Sequence, residues 1–459
     1  MMKKIKLNDF LFLFAVISVF LLLIWKSHIG IANIDETFHL SVPYRMTQGD
    51  WLIVDEWHVS QMWSFLLYPL MKIYRMIVQD TEGIVLAFRQ MFVVFQLTIM
   101  SISYLVLRKR YNFLAVVIPI LYGMFVPFNI INFNYNSLGY AITYLLVIFN
   151  LEKSDKNYKY IMNGILLAGL VLCNPYTVFI YMIWLIWMLA RWDKKSLLWT
   201  HMGIFFIAVL FLGLTLSKAS FADLLNNLPN ILSDAAHEPK TFYNFLEPFI
   251  GFIEDYWWYI GMFVITTIMA FRDKKRSKWW LLWLGLFSLM VVWFFSLRSA
   301  MRGGIGMNVI MLPLTLFGFV LFVFLENKNW HLFRVALVFP VLYTLCMNMS
   351  SNLGMFVIGS GCAVSSIMTM VFFEQWLDEN DIGHKYAVEI LVFVVIAQLG
   401  AEANVKVRHA FWEDNVADLK CEIEVGPMRG LKTTAKKKAS GKSARRCTIS
   451  SSAPVSRNI

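Results

Sequence analysis

The sequence predicts an all-α, polytopic membrane protein, and two observations carry that expectation. Hydrophobic residues fill 58% of the 459 positions and charged residues only 15%, a balance that ordinary soluble domains do not show. Apolar runs suited to crossing a bilayer, for which roughly 17 to 25 residues are needed, recur along the chain. Thirteen crossings are predicted at 10–25, 84–107, 113–128, 137–150, 160–172, 177–189, 200–216, 257–271, 279–296, 308–325, 331–346, 353–373 and 387–399, several of them short. The first also carries a weak signal-peptide pattern, since Lys3, Lys4 and Lys6 precede it, but no small-residue cleavage site follows.

Charge placement orients these segments. With a cytoplasmic N-terminus, the inside loops collect nineteen Lys and Arg residues, among them Arg108, Lys109, Arg110, Arg272, Lys274, Lys275 and Arg276. The short loops 129–136, 173–176 and 347–352 on the other side have none. An odd number of crossings keeps this asymmetry and sends the C-terminus outside. The expected location is therefore the cell membrane, multi-pass. The net charge of +11 does not argue for nucleic acid, because nine positive charges lie in 428–459, a stretch without acids, leaving about +2 for the rest.

Five cysteines give neither a disulfide framework nor a CxxC or Cys/His spacing. Cys173, Cys346 and Cys362 lie in or beside apolar runs and are expected to pack as small hydrophobes.

The topology places two long segments outside, 26–83 and 217–256. The apolar stretch 62–71 in the first is too short to cross and suits an interfacial or re-entrant helix. The second alternates Leu and Phe with acids and suggests short helices lying on the membrane. Residues 1–400 form the expected membrane domain and 401–434 a small outer appendage. From 435 to 459 the composition changes to Lys, Arg, Ser and Ala, which cannot form a core. That tail fits an aberrant terminus, or alternatively an electrostatic clamp for anionic lipid or wall polymer.

Just after the first apolar run stand two adjacent acids in Asp35-Glu36-Thr37-Phe38-His39. Then come Tyr44-Arg45-Met46-Thr47-Gln48-Gly49-Asp50-Trp51, the interfacial stretch, and a second crossing entered through Arg89. This order resembles the GT-C superfamily of polytopic glycosyltransferases, which includes protein O-mannosyltransferases and the lipid A aminoarabinose transferase. The likeness of element order spans 1–400, while the local motif occupies about 60 residues.

The resemblance implies a GT-C-like fold and a reaction: a sugar passes, usually with inversion, from a polyprenyl-phosphate donor to an extracytoplasmic lipid, glycan or protein acceptor. By family analogy Asp35 is the general base. Glu36 tunes it or binds acceptor or metal, since like charges side by side push one pKa up. The competing reading is that both acids cap a helix starting near Thr37.

Asp55-Glu56-Trp57-His58 in the same loop pairs carboxylates with imidazole. Asp55, Glu56 and His58, with His39, are thus candidate ligands for a divalent cation, or simply a solvated turn. The loop 129–137 has no acid where several GT-C relatives carry a second catalytic carboxylate. Its Asn132, Asn134 and Asn136, with His39, are candidate acceptor or sugar contacts, although Asn also caps helices. Arg298 and Arg302, followed by Gly303-Gly304-Ile305-Gly306, offer guanidinium forks and backbone amides to the donor phosphate. Arg89 is a further candidate, and an intramembrane charge needs a partner, for which Asp35 and Glu36 are the nearest choices. Two other functions stay open. A lipid or polysaccharide transporter or flippase would show paired repeats with broken helices, which this sequence lacks. A non-catalytic partner in cell-envelope polymer assembly would show neither donor hydrolysis nor transfer.

Overall fold

A computed structural model describes residues 7–31, 33–151, 156–232, 242–301, 311–349, 359–380, 384–410, 413 and 415–435. The chain is helical almost throughout. In order come α1 (Leu7–Ser27), α2 (Asn33–Met46), α3 (Ser64–Ile77), α4 (Ile84–Leu107), α5 (Leu114–Met124), α6 (Tyr135–Asn150), α7 (Asn157–Cys173), α8 (Val178–Arg191) and α9 (Lys194–Leu216). They are followed by α10 (Phe221–Leu232), α11 (Phe242–Arg272), α12 (Ser277–Met301), α13 (Leu312–Phe324), α14 (Trp330–Phe333), α15 (Phe339–Met349), α16 (Gly359–Glu379) and α17 (His384–Arg408). One short antiparallel pair, β1 (Cys421–Glu422) and β2 (Lys432–Thr433), sets Cys421 opposite Thr433.

Among the described residues six helical segments are long and apolar enough to cross a membrane: Leu7–Ser27, Ile84–Leu107, Lys194–Leu216, Ser277–Arg298, Trp330–Met349 and Tyr386–Arg408. Three shorter apolar helices accompany them, Leu114–Met124, Pro175–Arg191 and Leu312–Phe324. Among the described residues every apolar run read from the sequence overlaps a helix. That follows from the bilayer's demand that backbone N–H and C=O groups be satisfied within the segment.

The helices pack through small residues and polar contacts rather than through apolar burial alone, as expected where the solvent is itself apolar. α7 and α9 approach so closely that a Cβ on Gly164 would collide with the Thr200 carbonyl, and one on Gly203 with the Ile161 carbonyl. The other side of α9 is bare: Phe205, Phe206, Val209 and Leu212 are all exposed, as a lipid-facing stripe would be. α13 and α16 are joined by Thr369 Oγ1 donating to the Leu314 carbonyl at 3.0 Å and Thr315 Oγ1 donating to that of Cys362 at 2.7 Å. α12 and α17 share a bond from Ser296 Oγ to the Ala401 carbonyl, 2.9 Å.

α1 and α4 run antiparallel, pinned at both ends. Asp9 in the first turn of α1 accepts from Tyr104 and pairs with Arg108 at 3.2 Å, and Phe12 stacks on Tyr104 at 4.0 Å. At the other end the Ser27 carbonyl accepts from Arg89.

That second end gathers the start of α2, the turn before α6, the end of α17 and the segment after it. The Lys432 amide donates to the His28 carbonyl and the Gly30 amide to the Lys432 carbonyl, while Gly83 and Val85 donate to Gly426 and Pro427. Gly30 lies at φ 80 with Ala410 Cβ against it, so any side chain there would be both strained and obstructed.

Two boundaries differ from the sequence reading. α17 continues to Arg408 instead of ending at 399, because Gln398, Glu402 and Lys406 recur every fourth residue and turn inward as one buried stripe. The segment 401–408, expected to open an outer appendage spanning 401–434, is thus part of the last helix. The second long segment carries helix as expected in α10, but α11 begins at Phe242 and runs through a kink at Tyr256 into the crossing read at 257–271. The tail beyond 435 lies outside the described residues.

Candidate functional site at the start of α2

The two adjacent acids have opposite environments. Helical geometry points consecutive side chains about 100° apart, so Asp35 faces solvent while Glu36 turns inward and is 1% exposed. Arg89, itself 4% exposed on α4, meets Glu36 through a two-point fork: Nε donates to Oε1 at 2.6 Å and Nη2 to Oε2 at 2.5 Å. Asn132 Nδ2 adds a bond to Oε1 at 2.8 Å. Arg89 also donates to the carbonyls of Ser27, Ile29 and Gly30. All five of its N–H groups are therefore engaged, and none is left for a phosphate oxygen. Arg89 is here a strut that fixes Glu36 and the turn before α2, not a phosphate ligand. Its expected carboxylate partner is Glu36.

Asp35 has no such brace. Partial desolvation raises its pKa above the ordinary 3.8. Its charge acts on Tyr135, the first residue of α6. One turn along α2, on the Asp35 side, His39 is 6% exposed and sits edge-on to Trp63 at 5.8 Å and Tyr135 at 5.3 Å. Burial, aided by the nearby His58, pulls its pKa down to about 3, so the ring is neutral at physiological pH. His39 Nδ1 has no protein partner. Phe38 meets His58 at 5.1 Å and closes this ring of aromatic side chains. Asp35, His39, His58, Tyr135 and Trp63 thus form one neighbourhood.

The asparagines divide their work. Asn134 caps α6, accepting from the Ser137 amide at 2.9 Å while its own amide donates to Ser137 Oγ at 3.0 Å. Asn132 holds Glu36, and Asn129 donates to the His409 carbonyl at 2.9 Å. Asn136 is 7% exposed, and its Oδ1 has no protein partner. Capping therefore accounts for one of them. The turn that presents this group is strained: Phe128 and Asn129 both lie in the left-handed region, φ 56 and 57, and so does Ile53 in the 50–60 loop, φ 73.

The divalent-cation expectation finds no ligand set. Asp55 accepts from the Trp51 amide at 2.8 Å, and Glu56 accepts from the amides of Trp57 and His58 at 3.1 Å each. His58 Nδ1 accepts from the Ser60 amide at 3.1 Å. Arg45 ties the loop together, reaching Asp50 at 2.6 Å, Glu56 at 3.2 Å and the Asp55 carbonyl at 2.8 Å. These side chains close their own loop. Among the described residues no group of three His, Cys, Asp or Glu is placed to hold a metal.

Arg298 lies in the last turn of α12, half-buried, with its guanidinium over Tyr256 at 5.6 Å. Arg302 lies outside the described residues. The sequence reading missed Tyr135, Trp63 and the buried cations Lys26 and Lys406. The available signal was that Lys26 and Lys406 sit within a helix of membrane-crossing length, where a charge is costly enough to need a reason. The chain matches no protein-family model and no curated protein sequence.

Proposed function

We propose that the chain is an integral membrane glycosyltransferase of the GT-C type, with thirteen crossings and the α2 site on the extracytoplasmic side. A sugar would move with inversion from a polyprenyl-phosphate donor to an acceptor hydroxyl. The observation that carries this reading is the division of labour between the two acids. Glu36 is neutralised inside the fold by Arg89 and Asn132, while Asp35 stands exposed beside it with a raised pKa. A carboxylate fixed at the edge of a helix array and half-desolvated is poised to accept a proton.

In the proposed step the Asp35 carboxylate takes the acceptor's hydroxyl proton as its oxygen attacks the anomeric carbon. The bond from that carbon to the phosphate oxygen breaks, and polyprenyl phosphate leaves. His39, neutral and with Nδ1 unengaged, and Asn136, with Oδ1 unengaged, are the best placed contacts for sugar hydroxyls. Asn132 and Asn134 support the site from behind. Arg298 and Arg302 remain the proposed phosphate contacts.

The test is to incubate membranes carrying the protein with a panel of polyprenyl-phosphate sugars and to follow which headgroup is consumed. Asp35→Asn is expected to lower transfer by about 10² to 10⁴-fold with unchanged membrane accumulation; full turnover in that variant sinks the assignment. Because the base must be ionised and its pKa is raised, activity should fall on acidification at a pH above that of an ordinary aspartate. An acidic limb identical in wild type and Asp35→Glu would mean that another group titrates.

A transport reading has one observation in its favour, the buried stripe Gln398, Glu402 and Lys406 in a helix of crossing length. Glu402→Gln that abolishes uptake into vesicles and spares sugar transfer would support it.

A further inference from the structure

α8 carries a row that is apolar along its length and cationic at its tip. Phe179, Ile183, Trp187 and Arg191 recur every fourth residue, so they stand on one face of the helix, and all four are exposed. The last two meet: the Arg191 guanidinium lies over the Trp187 indole at 4.5 Å. A second guanidinium, that of Arg334, lies over the same ring at 5.1 Å. It comes from another helical segment of crossing length, Trp330–Met349.

The backbone is unusual on both sides of this contact. Arg334 opens a π-helical stretch, Arg334–Val338, a winding that is rare and recurs at functional sites. Trp192, which closes α8, lies in the left-handed region at φ 54, an uncommon place for a bulky side chain. Lys194 stands over its ring at 5.2 Å and adds a third cation. Asp193 between them is taken up as the cap of α9, accepting from the Ser196 amide at 3.0 Å.

Stacking on an indole uses the face of a guanidinium and leaves its N–H donors at the rim. Two such rims, brought over one ring from separate helices, suit the oxygens of a phosphate. Holding them there in advance reduces the side-chain freedom lost on binding. Both arginines sit near the ends of apolar helices, at the level of the lipid headgroups, where indoles also gather. The orientation read from the Lys and Arg asymmetry puts this end on the cytoplasmic side, away from Asp35.

We propose that Arg191, Arg334 and Trp187 form a site for an anionic phospholipid, with its phosphate on the two guanidinium groups and an acyl chain along Ile183 and Phe179. The exposed apolar row below the cations is what favours a lipid over free phosphate. The inference needs the chain to span a membrane and does not rest on the glycosyltransferase reading.

The experiment titrates the full chain in detergent with phosphatidylglycerol or phosphatidylcholine and follows bound lipid by native mass spectrometry. Phosphatidylglycerol should bind more tightly. Arg191→Gln and Arg334→Gln should each weaken its binding by about fivefold and leave phosphatidylcholine unchanged. Arg272→Gln, which removes an exposed arginine at the end of α11, should have no effect. Trp187→Leu should also weaken binding, although it removes no charge, because it releases both guanidinium groups. Equal binding of the two lipids by wild type would overturn the proposal, as would a loss in Arg272→Gln as large as in Arg191→Gln. Inorganic phosphate that displaces phosphatidylglycerol at equal concentration would show an anion site to which the chain contributes nothing, and would overturn it too. If a variant does not accumulate, the comparison of the two lipids on wild type decides.

Discussion

The junction around Glu36 and the seam between α7 and α9 solve the same problem, joining helices in an apolar surrounding, by opposite means. At the seam Gly164 and Gly203 remove side chains so that backbones touch, and nothing charged is involved. At the junction Glu36, Arg89, Asn132 and three carbonyls are joined by charge-assisted bonds of fixed geometry. The first tolerates no added volume, and the second tolerates no missing partner. A protein needing only to sit in a membrane can be built from seams. A buried ionic junction next to an exposed acid is the costlier arrangement, and the need to hold that acid in place is a reason for it.

The contrast can be broken at either side. Arg89→Met leaves Glu36 buried with only Asn132 as a side-chain partner and should destabilise by about 3–5 kcal/mol, read from detergent thermal unfolding. Adding Glu36→Gln should recover much of this loss, and an equally unstable double variant would contradict the ion-pair account. Gly164→Val forces a collision with backbone that cannot move aside and should cost about 1–3 kcal/mol. It should separate α7 from α9 in crosslinking while leaving the Glu36–Arg89 pair intact. Smallest is Asn134→Ala, expected to cost about 1 kcal/mol through loss of the α6 cap. Because Asn132 and Tyr135 flank that cap, the variant should also lower activity modestly; a stability loss with no change in activity would separate the cap from the site.

Much of the fold was legible because apolar runs of crossing length admit little besides helix. What failed was the end of α17, where Gln398, Glu402 and Lys406 read as the close of an apolar run. Only packing reveals that they face inward. At the site, the acid pair and the need of Arg89 for a carboxylate were readable, since both follow from local sequence and the cost of intramembrane charge. Which acid is buried was not, because it depends on the rotation of α2 about its axis against α4. The cluster Asp55, Glu56 and His58 stayed open for a related reason: nearness in sequence does not tell shared ligation from a turn whose side chains bond the amides of their own loop.

The segment after α17 has a consequence for when the site can exist. Lys26 and the His409 carbonyl that holds it are 383 residues apart, and Ile31 and Glu413 are 382 apart. Both contacts lie just before α2. The acids, Arg89 and Asn132 are all synthesised within the first third of the chain, yet the bonds that fix the entry to α2 wait for nearly the last residues described. Contacts of such sequence separation form late, so the turn before α2 is fixed only once the residues after α17 have been made.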